Sequence, residues 1–153
     1  MRAGLSTEAR VESAWARPVI MVVDDDEAIR ALLAGVLDAE GYRAVEAKDG
    51  LEAIELLQRE RPDLILLDLK LPRLTGREVL RWLRHTPGGE ELAVLVLSAN
   101  APRELGGPPV RGFLAKPFDI ADLLRSVDVV LGLASGQDAG KPSRAVGRRE
   151  RTA

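Results

Sequence analysis

The chain has 153 residues, of which 46% are hydrophobic and 30% charged, so it has the length of one domain and enough apolar material for one core. Its formal charge of −2 provides no large field of one sign, and neither nucleic acid nor a membrane is an expected partner. The lack of cysteine excludes disulfides and thiolate metal sites, and no apolar segment approaches the ~18 residues of a membrane span. These properties predict a cytoplasmic protein.

The composition divides the chain into three segments. Residues 1–17 are a predicted polar leader, because charged residues interrupt any apolar stretch long enough for the core of a signal peptide. Residues 18–134 carry regular apolar periods and form the predicted globular domain. Residues 135–153 lose that period and are rich in Gly, Ser, Pro and Arg, which is typical of a disordered basic tail.

The predicted domain begins with a short apolar run, Val19–Val23, which has the length of a buried strand. Apolar residues then recur at helical spacing from Ile29 to Leu37, and Gly41 is placed to end this amphipathic helix. A second strand is predicted at Arg43–Ala47. Asp49 follows that strand and is placed to cap the second helix.

The same pattern of strand and helix continues along the chain. Leu64–Asp68 is the third predicted strand, and Thr75 with Glu78 forms a capping box for a third helix. The Pro-Gly-Gly sequence at residues 87–89 is expected to stop that helix, and Ala93–Ser98 is the fourth predicted strand.

The fifth predicted strand is Gly112–Ala115, and Asp119 is placed to cap a last amphipathic helix. Continuous apolar strands that alternate with helices are typical of a parallel sheet covered on both faces. The sequence therefore predicts an α/β fold with a doubly wound parallel sheet and right-handed crossovers.

Polar residues stand where four of the predicted strands end. Asp24 and Asp25 follow the first strand, Asp68 ends the third, Ser98 ends the fourth and Lys116 follows the fifth. Because parallel strands point the same way, their carboxyl ends share one edge of the sheet. These five residues are therefore expected to meet in one crevice.

The chemistry of the crevice follows from its carboxylates. Three neighbouring aspartates repel one another and raise at least one pKa, unless a cation lies among them. Oxygen ligands favour Mg²⁺, so Asp24 and Asp25 are candidate metal ligands, while Asp68 is a candidate nucleophile toward a phosphoryl group. Ser98 and Lys116 are candidate donors to the phosphoryl oxygens.

Four ordered motifs resemble the receiver domain of bacterial response regulators. They are Val22-Val23-Asp24-Asp25, the segment Pro62–Pro72 around Asp68 with Gly76, Ser98-Ala99, and Lys116-Pro117-Phe118. The resemblance covers residues 18–133 and implies a flavodoxin-like receiver fold with five parallel strands in the order 2-1-3-4-5. It implies a non-enzymatic phosphoacceptor switch of a two-component phosphorelay, of the single-domain type, with no output domain in this chain.

The resemblance also implies how the acidic residues divide their roles. Asp68 would accept the phosphoryl group from a sensor histidine kinase or phosphotransfer protein, and the switch would then act on a downstream protein target. Asp25, Asp68 and the backbone carbonyl of Lys70 would bind Mg²⁺ directly, and Asp24 would act mainly through water.

The remaining site residues match the family's switch. Lys116 would contact the phosphoryl oxygens, and the peptide bond before Pro117 is often cis in the family. Ser98 and Phe113 match the switch pair, in which the hydroxyl moves to the phosphoryl group and the ring turns inward to fill the vacated space. Ala99 is small and would leave the phosphoryl group accessible.

The chain departs from the family between the fourth and fifth strands, where receivers usually carry a full helix. Here the connection Ala99–Ala115 is shorter than usual, and prolines and glycines at positions 102, 106, 107, 108 and 109 interrupt it. We expect the family's fourth helix to be absent or reduced to one turn near Pro102–Leu105. An altered output face and weakened dimerisation through that face would follow.

Other interpretations remain open at this point. The acidic run Asp24–Glu27 alone would suit a helix N-terminus, where the dipole favours each negative charge by ~0.3–1 kcal/mol, but a cap does not require Asp68 and Lys116 at neighbouring strand ends. A haloacid dehalogenase-like phosphotransferase or phosphatase also places an aspartate after a strand, yet it needs a carboxylate where this chain has Lys70. A phosphorylation-independent binding module with the receiver fold ranks lower, because no pocket residue is missing.

Overall fold

Five parallel strands form one sheet in the order β2-β1-β3-β4-β5 in the computed structural model, which describes residues 17–100 and 103–132. The strands are β1 (Val19–Val23), β2 (Arg43–Ala47), β3 (Leu64–Asp68), β4 (Val94–Ser98) and β5 (Val110–Ala115). The predicted sheet and its strand order are confirmed. Nearly all of the predicted leader and the whole predicted tail lie outside the described residues, so those boundaries stay predictions.

Four α-helices connect and flank the strands. They are α1 (Glu27–Ala39), α2 (Gly50–Leu57), α3 (Gly76–Arg84) and α4 (Ile120–Val130). The predicted caps Asp49, Thr75 and Asp119 each accept a hydrogen bond from a backbone amide of the first turn, and Thr75 forms the predicted capping box with Glu78. None of the described helices has the length and apolar character needed to cross a membrane.

The core lies on both faces of the sheet. The central strand β3 is buried along its whole length, because helices cover it on each side. On one face, strand residues pack with Val79, Leu80 and Leu83 of α3, and on the other face they pack with side chains of α1 and α4. Each large apolar side chain buried in this way contributes about 1.5–3 kcal/mol. This two-sided packing fixes which residues stand at the carboxyl edge.

Two predicted boundaries were wrong. Strand β4 begins at Val94 instead of Ala93, and β5 begins at Val110 instead of Gly112. Val94 pairs with Val110 while Leu95 pairs with Gly112, so the exposed Arg111 is an extra residue at a bulge that interrupts the apolar pattern. Helix α3 ends at Arg84 with His85 as its C-cap, so it does not extend into the Pro-Gly-Gly sequence at residues 87–89, as expected.

The connection between β4 and β5 is short and mostly irregular. The described residues of this connection form one 3-10 turn, Arg103–Leu105, and no longer helix. The family's fourth helix was expected to be absent or reduced to one turn, and this prediction is confirmed. The guanidinium of Arg84 in α3 donates hydrogen bonds to the carbonyls of residues 105, 106, 107 and 108, at distances from 2.8 to 3.3 Å. One side chain therefore binds carbonyl groups that a helix would have satisfied internally.

Candidate functional site

The structure brings the three predicted aspartates together at the carboxyl edge of the sheet. Asp24 and Asp25 follow β1, and Asp68 is the last residue of the adjacent strand β3. One carboxylate oxygen from each residue lies within 4.8 Å of the other two. This proximity arises because β1 and β3 run parallel in adjacent positions, so that Val23 pairs with Leu67.

Asp24 is a buried carboxylate, and among the described residues only one of its two oxygens has a hydrogen-bond partner. Its Oδ1 accepts a hydrogen bond of 2.9 Å from the amide of Asp26, and the side chain is only 1% exposed. Its Oδ2 is buried and has no hydrogen-bond partner within the described part of the chain, although Lys116 Nζ lies 3.8 Å away. Burial raises the pKa of Asp24, and the nearby charge of Asp68 acts in the same direction.

Both carboxylate oxygens of Asp68 accept hydrogen bonds. Its Oδ2 accepts a hydrogen bond of 3.0 Å from Lys116 Nζ, and its Oδ1 accepts one of 3.1 Å from the amide of Lys70. The residue is buried, with 6% of its surface exposed. The Lys116 ammonium thus lies 3.8 Å and 3.0 Å from two carboxylates, those of Asp24 and Asp68, and with Asp25 the cluster keeps an excess of negative charge.

Ser98 and Phe113 lie on one face of the sheet. Phe113 pairs with Val96, and residues two apart in a strand share a face, so Ser98 faces the same side. The Ser98 hydroxyl oxygen accepts a hydrogen bond of 3.1 Å from the amide of Asn100, which leaves the hydroxyl hydrogen free to donate. Phe113 is half-buried and packs against the core under α3. The Lys116–Pro117 peptide bond is cis.

A cleft of about 590 Å³ opens beside these residues. It is lined by Asp25, Leu69, Lys70, Leu71, Pro72, Thr75, Arg77, Ser98 and Asn100. The cleft therefore extends from Asp25 and Ser98 to the start of helix α3. Its volume is that of a small-molecule site, and it is large enough for a phosphoryl donor.

Two glycines let backbone segments approach each other beneath the site. A Cβ at Gly76 would lie 2.5 Å from the carbonyl oxygen of Asp68, and a Cβ at Gly50 would lie 2.1 Å from that of Leu74. Gly76 also donates its amide hydrogen to the carbonyl of Leu69 at 3.0 Å. Helix α3 thus starts directly against the strand that carries Asp68.

Two arginines near the site were missed by the sequence analysis. Arg77 lines the cleft from the first turn of α3, and Arg30 donates a 2.7 Å hydrogen bond to the carbonyl of Asp24 while pairing with Glu46 at 3.1 Å. The search for polar residues at strand ends could not find them, because both belong to helices. A search for cations in the first turns of helices that follow the acidic strands would have found both.

The donor set suits a hard cation. The cluster offers carboxylate oxygens from Asp24, Asp25 and Asp68, and one buried oxygen of Asp24 is without a hydrogen-bond partner in the described residues. Mg²⁺ takes oxygen ligands in octahedral geometry and keeps several waters. The residues present therefore fit a magnesium ion.

A parallel sheet with an acidic carboxyl edge and an opposed lysine is an arrangement suited to phosphoryl transfer assisted by a divalent cation. The family model of the response regulator receiver domain matches residues 20–128. The chain belongs to this family.

Relatives of known function are longer proteins. The chain is 40% identical over 129 residues to the response regulator MprA of Mycobacterium leprae, an alignment that covers 80% of this chain and 54% of that protein. MprA of Mycobacterium tuberculosis strain H37Ra is 39% identical over the same length. The chain spans about half the length of the curated relatives it matches.

Solved receiver structures share the fold. The Vibrio cholerae chemotaxis protein CheY4 is 30% identical with a TM-score of 0.67, and the match covers 75% of this chain and 99% of CheY4. The receiver domain of the Pseudomonas aeruginosa sensor histidine kinase PA1611 is 31% identical with a TM-score of 0.68, covering 76% of this chain and 99% of that domain. That crystal structure holds a magnesium ion coordinated in the active site cleft.

Proposed function

We propose that this chain is the phosphoacceptor switch of a two-component pathway, with Asp68 as the residue that carries the phosphoryl group. The observation that carries this proposal is the setting of Asp68, which lies at the end of β3 between the Lys116 ammonium and the Lys70 amide. A carboxylate held in this way is a fixed nucleophile, and its neighbours Leu69 and Lys70 line the adjacent cleft.

The proposed donor is a phosphohistidine on a sensor histidine kinase or phosphotransfer protein. A carboxylate oxygen of Asp68 forms a new bond to phosphorus while the bond from phosphorus to the imidazole nitrogen breaks, and the leaving imidazole takes up a proton. Lys116 donates to the phosphoryl oxygens as negative charge spreads over them. The Ser98 hydroxyl has a free hydrogen for the same purpose.

The proposed metal site uses Asp25, Asp68 and the backbone carbonyl of Lys70. Bound Mg²⁺ would neutralise the charges of nucleophile and phosphate. Asp24 is proposed to act through metal-bound water, because its Oδ2 is a buried acceptor that has no hydrogen-bond partner among the described residues and that such a water can satisfy. The magnesium ion in the active site cleft of the PA1611 receiver supports a metal ion at the corresponding cleft of this chain.

Ser98 and Phe113 are the proposed switch pair. Their position on the same face of the sheet supports the idea that the ring fills space released when the hydroxyl moves. The half-buried state of Phe113 is consistent with a ring that has further to turn. We propose that this change is passed to a downstream protein in the cytoplasm, and that the chain signals rather than processes a separate substrate.

The alternative of a haloacid dehalogenase-like phosphatase lacks support. The second residue after Asp68 is Lys70, whose backbone amide binds Asp68 and whose side chain cannot replace a carboxylate acid. A receiver-fold module that works without phosphorylation is less favoured, because Asp24, Asp25, Asp68 and Lys116 are all in place.

Intact mass measurement tests the proposal. With Mg²⁺ and acetyl phosphate, one acid-stable and base-labile phosphoryl group should appear on the protein, and excess chelator should prevent it. Asp68→Asn should show no mass increase, while Asp38→Asn, which changes an exposed aspartate of α1, should behave as the unmodified chain. Equal labelling of Asp68→Asn would refute the assignment.

A further inference from the structure

Arg77, which lines the cleft, forms an ion pair with Glu104. Arg77 Nη1 lies 2.9 Å from Glu104 Oε2, and this contact joins the first turn of α3 to the 3-10 turn between β4 and β5. The two side chains are 51% and 62% exposed. Exposed pairs of this kind contribute little to stability, so the contact is one that a stronger anion can replace.

Arg77 is well placed to meet such an anion. It lines the same cleft as Asp25 and Ser98, which flank the proposed phosphoacceptor. A guanidinium can bind phosphate oxygens with two parallel hydrogen bonds, whereas Glu104 accepts a single hydrogen bond from Arg77 here. Glu104 has a pKa below its ordinary value, because its own backbone amide and the Arg77 guanidinium favour the charged form. Glu104 is therefore an anion that competes for Arg77.

We infer that Arg77 is a second phosphoryl-binding cation, and that a phosphoryl group on Asp68 displaces Glu104 from it. This inference rests on the proposed phosphorylation of Asp68. Before phosphorylation, Arg77 pairs with Glu104, and afterwards its guanidinium binds phosphoryl oxygens and Glu104 is released. The exchange of ion pairs couples phosphorylation of Asp68 to the connection between β4 and β5. Glu104 belongs to the 3-10 turn Arg103–Leu105 of that connection.

Binding of beryllofluoride, a tetrahedral mimic of a phosphoryl group on a carboxylate, tests this exchange by calorimetry at saturating Mg²⁺. Arg77→Gln should weaken beryllofluoride binding by about threefold to tenfold, and Glu104→Gln should strengthen it by about twofold to fivefold, because it frees Arg77. The double variant should match Arg77→Gln alone, since Glu104 acts only through Arg77. Arg81→Gln is the matched control, being an exposed arginine one turn further along α3 and outside the cleft lining, and it should bind as the unmodified chain does.

Each outcome separates this inference from the proposed function. If the unmodified chain fails to bind beryllofluoride, or Asp68→Asn binds it equally well, the proposed function is wrong. If the unmodified chain binds and Arg77→Gln binds equally well, only the role of Arg77 is overturned. An unchanged affinity in Glu104→Gln would overturn the competition, and equal losses in Arg77→Gln and Arg81→Gln would reduce the effect to general surface charge.

Discussion

The two connections that border the cleft are held in opposite ways. The connection from β3 to α3 is fixed by backbone contacts, with Gly76 against Asp68 and Gly50 against Leu74 at distances that leave no room for a Cβ. The described part of the connection from β4 to β5 is fixed by side chains, namely Arg84 on four carbonyls and the exposed pair of Arg77 and Glu104. Backbone contacts keep Asp68 in place, whereas side-chain contacts can be exchanged.

A strained residue belongs to the rigid connection. Arg73 has φ of 65°, in the left-handed region that non-glycine residues rarely occupy, and its guanidinium lies 3.3 Å from the buried carboxylate of Asp49. Asp49 in turn caps α2. The rigid connection is therefore tied to the N-terminus of α2 as well as to α3.

Gly76→Ala should produce the largest effect, because the new methyl group would meet the Asp68 carbonyl and the Leu69 Cα at 2.5 and 2.7 Å. We expect a loss of about 2–4 kcal/mol in the free energy of unfolding, measured by urea denaturation, and slower phosphorylation of Asp68. Gly35→Ala is the matched control, since its Cβ would point into open space on α1, and it should gain about 0.5–1 kcal/mol. Equal stability of Gly76→Ala and the unmodified chain would show that the connection is not rigid.

Arg84→Gln should loosen the other connection alone. Loss of hydrogen bonds to several carbonyls should cost about 1–2 kcal/mol of unfolding free energy. Amide hydrogen exchange should speed up in residues 104–110 and stay unchanged at Leu69–Thr75, and Arg81→Gln should change neither segment. Faster exchange at both connections would contradict their independence.

Asp24→Asn should stabilise the metal-free protein by about 1 kcal/mol at neutral pH, since it removes a buried charge whose Oδ2 has no hydrogen-bond partner in the described part of the chain. The pKa of Asp24 is raised in the folded state above 3.8, so the folded state binds this proton more tightly than the unfolded state does. The charged form therefore costs stability above the raised pKa, and the cost fades as pH falls through it.

Thermal unfolding of the two proteins between pH 7 and pH 4 measures this difference. The advantage of Asp24→Asn should shrink toward acid pH, and it should also shrink in saturating Mg²⁺, which stabilises the unmodified protein by binding its folded state. A constant advantage at all pH values would mean that the charge of Asp24 is not the cause.

Substitutions at Arg73 should have the smallest net effect on the free energy of unfolding. They separate two opposing contributions, the ion pair with Asp49 and the strain of the left-handed backbone. Arg73→Gly loses the ion pair with Asp49 but relieves the left-handed backbone, so its unfolding free energy should change by less than about 1 kcal/mol. Arg73→Ala loses the ion pair and keeps the strain, and it should be about 1 kcal/mol less stable than Arg73→Gly. The reverse order would show that the backbone at this position is unstrained.

The sequence was most informative where one geometric rule governs many residues. Asp24, Asp25 and Asp68 were predicted to converge because parallel strands end at the same edge, and that rule needs only the strand assignments. The start of β5 was missed because Arg111 and Gly112 break the apolar pattern at a bulge.

Contacts made by helix side chains were beyond the sequence analysis. Arg84 and Arg77 bind partners that lie more than twenty residues further along the chain, in the connection between β4 and β5. That connection has no hydrophobic periodicity from which its position could be predicted. Their roles depend on how closely α3 packs against that connection, and no local pattern reports this distance.

Arg84 has a consequence for the variability of the loop that it holds. Its hydrogen bonds go to main-chain carbonyls, so they do not depend on the side chains at those positions. Gly106 and Pro108 are exposed on this loop, whereas Gly107, with φ of 96°, is restricted to glycine by its backbone. Substitutions at positions 106 and 108 can therefore change the chemistry of this exposed surface while the carbonyl groups that Arg84 binds remain present.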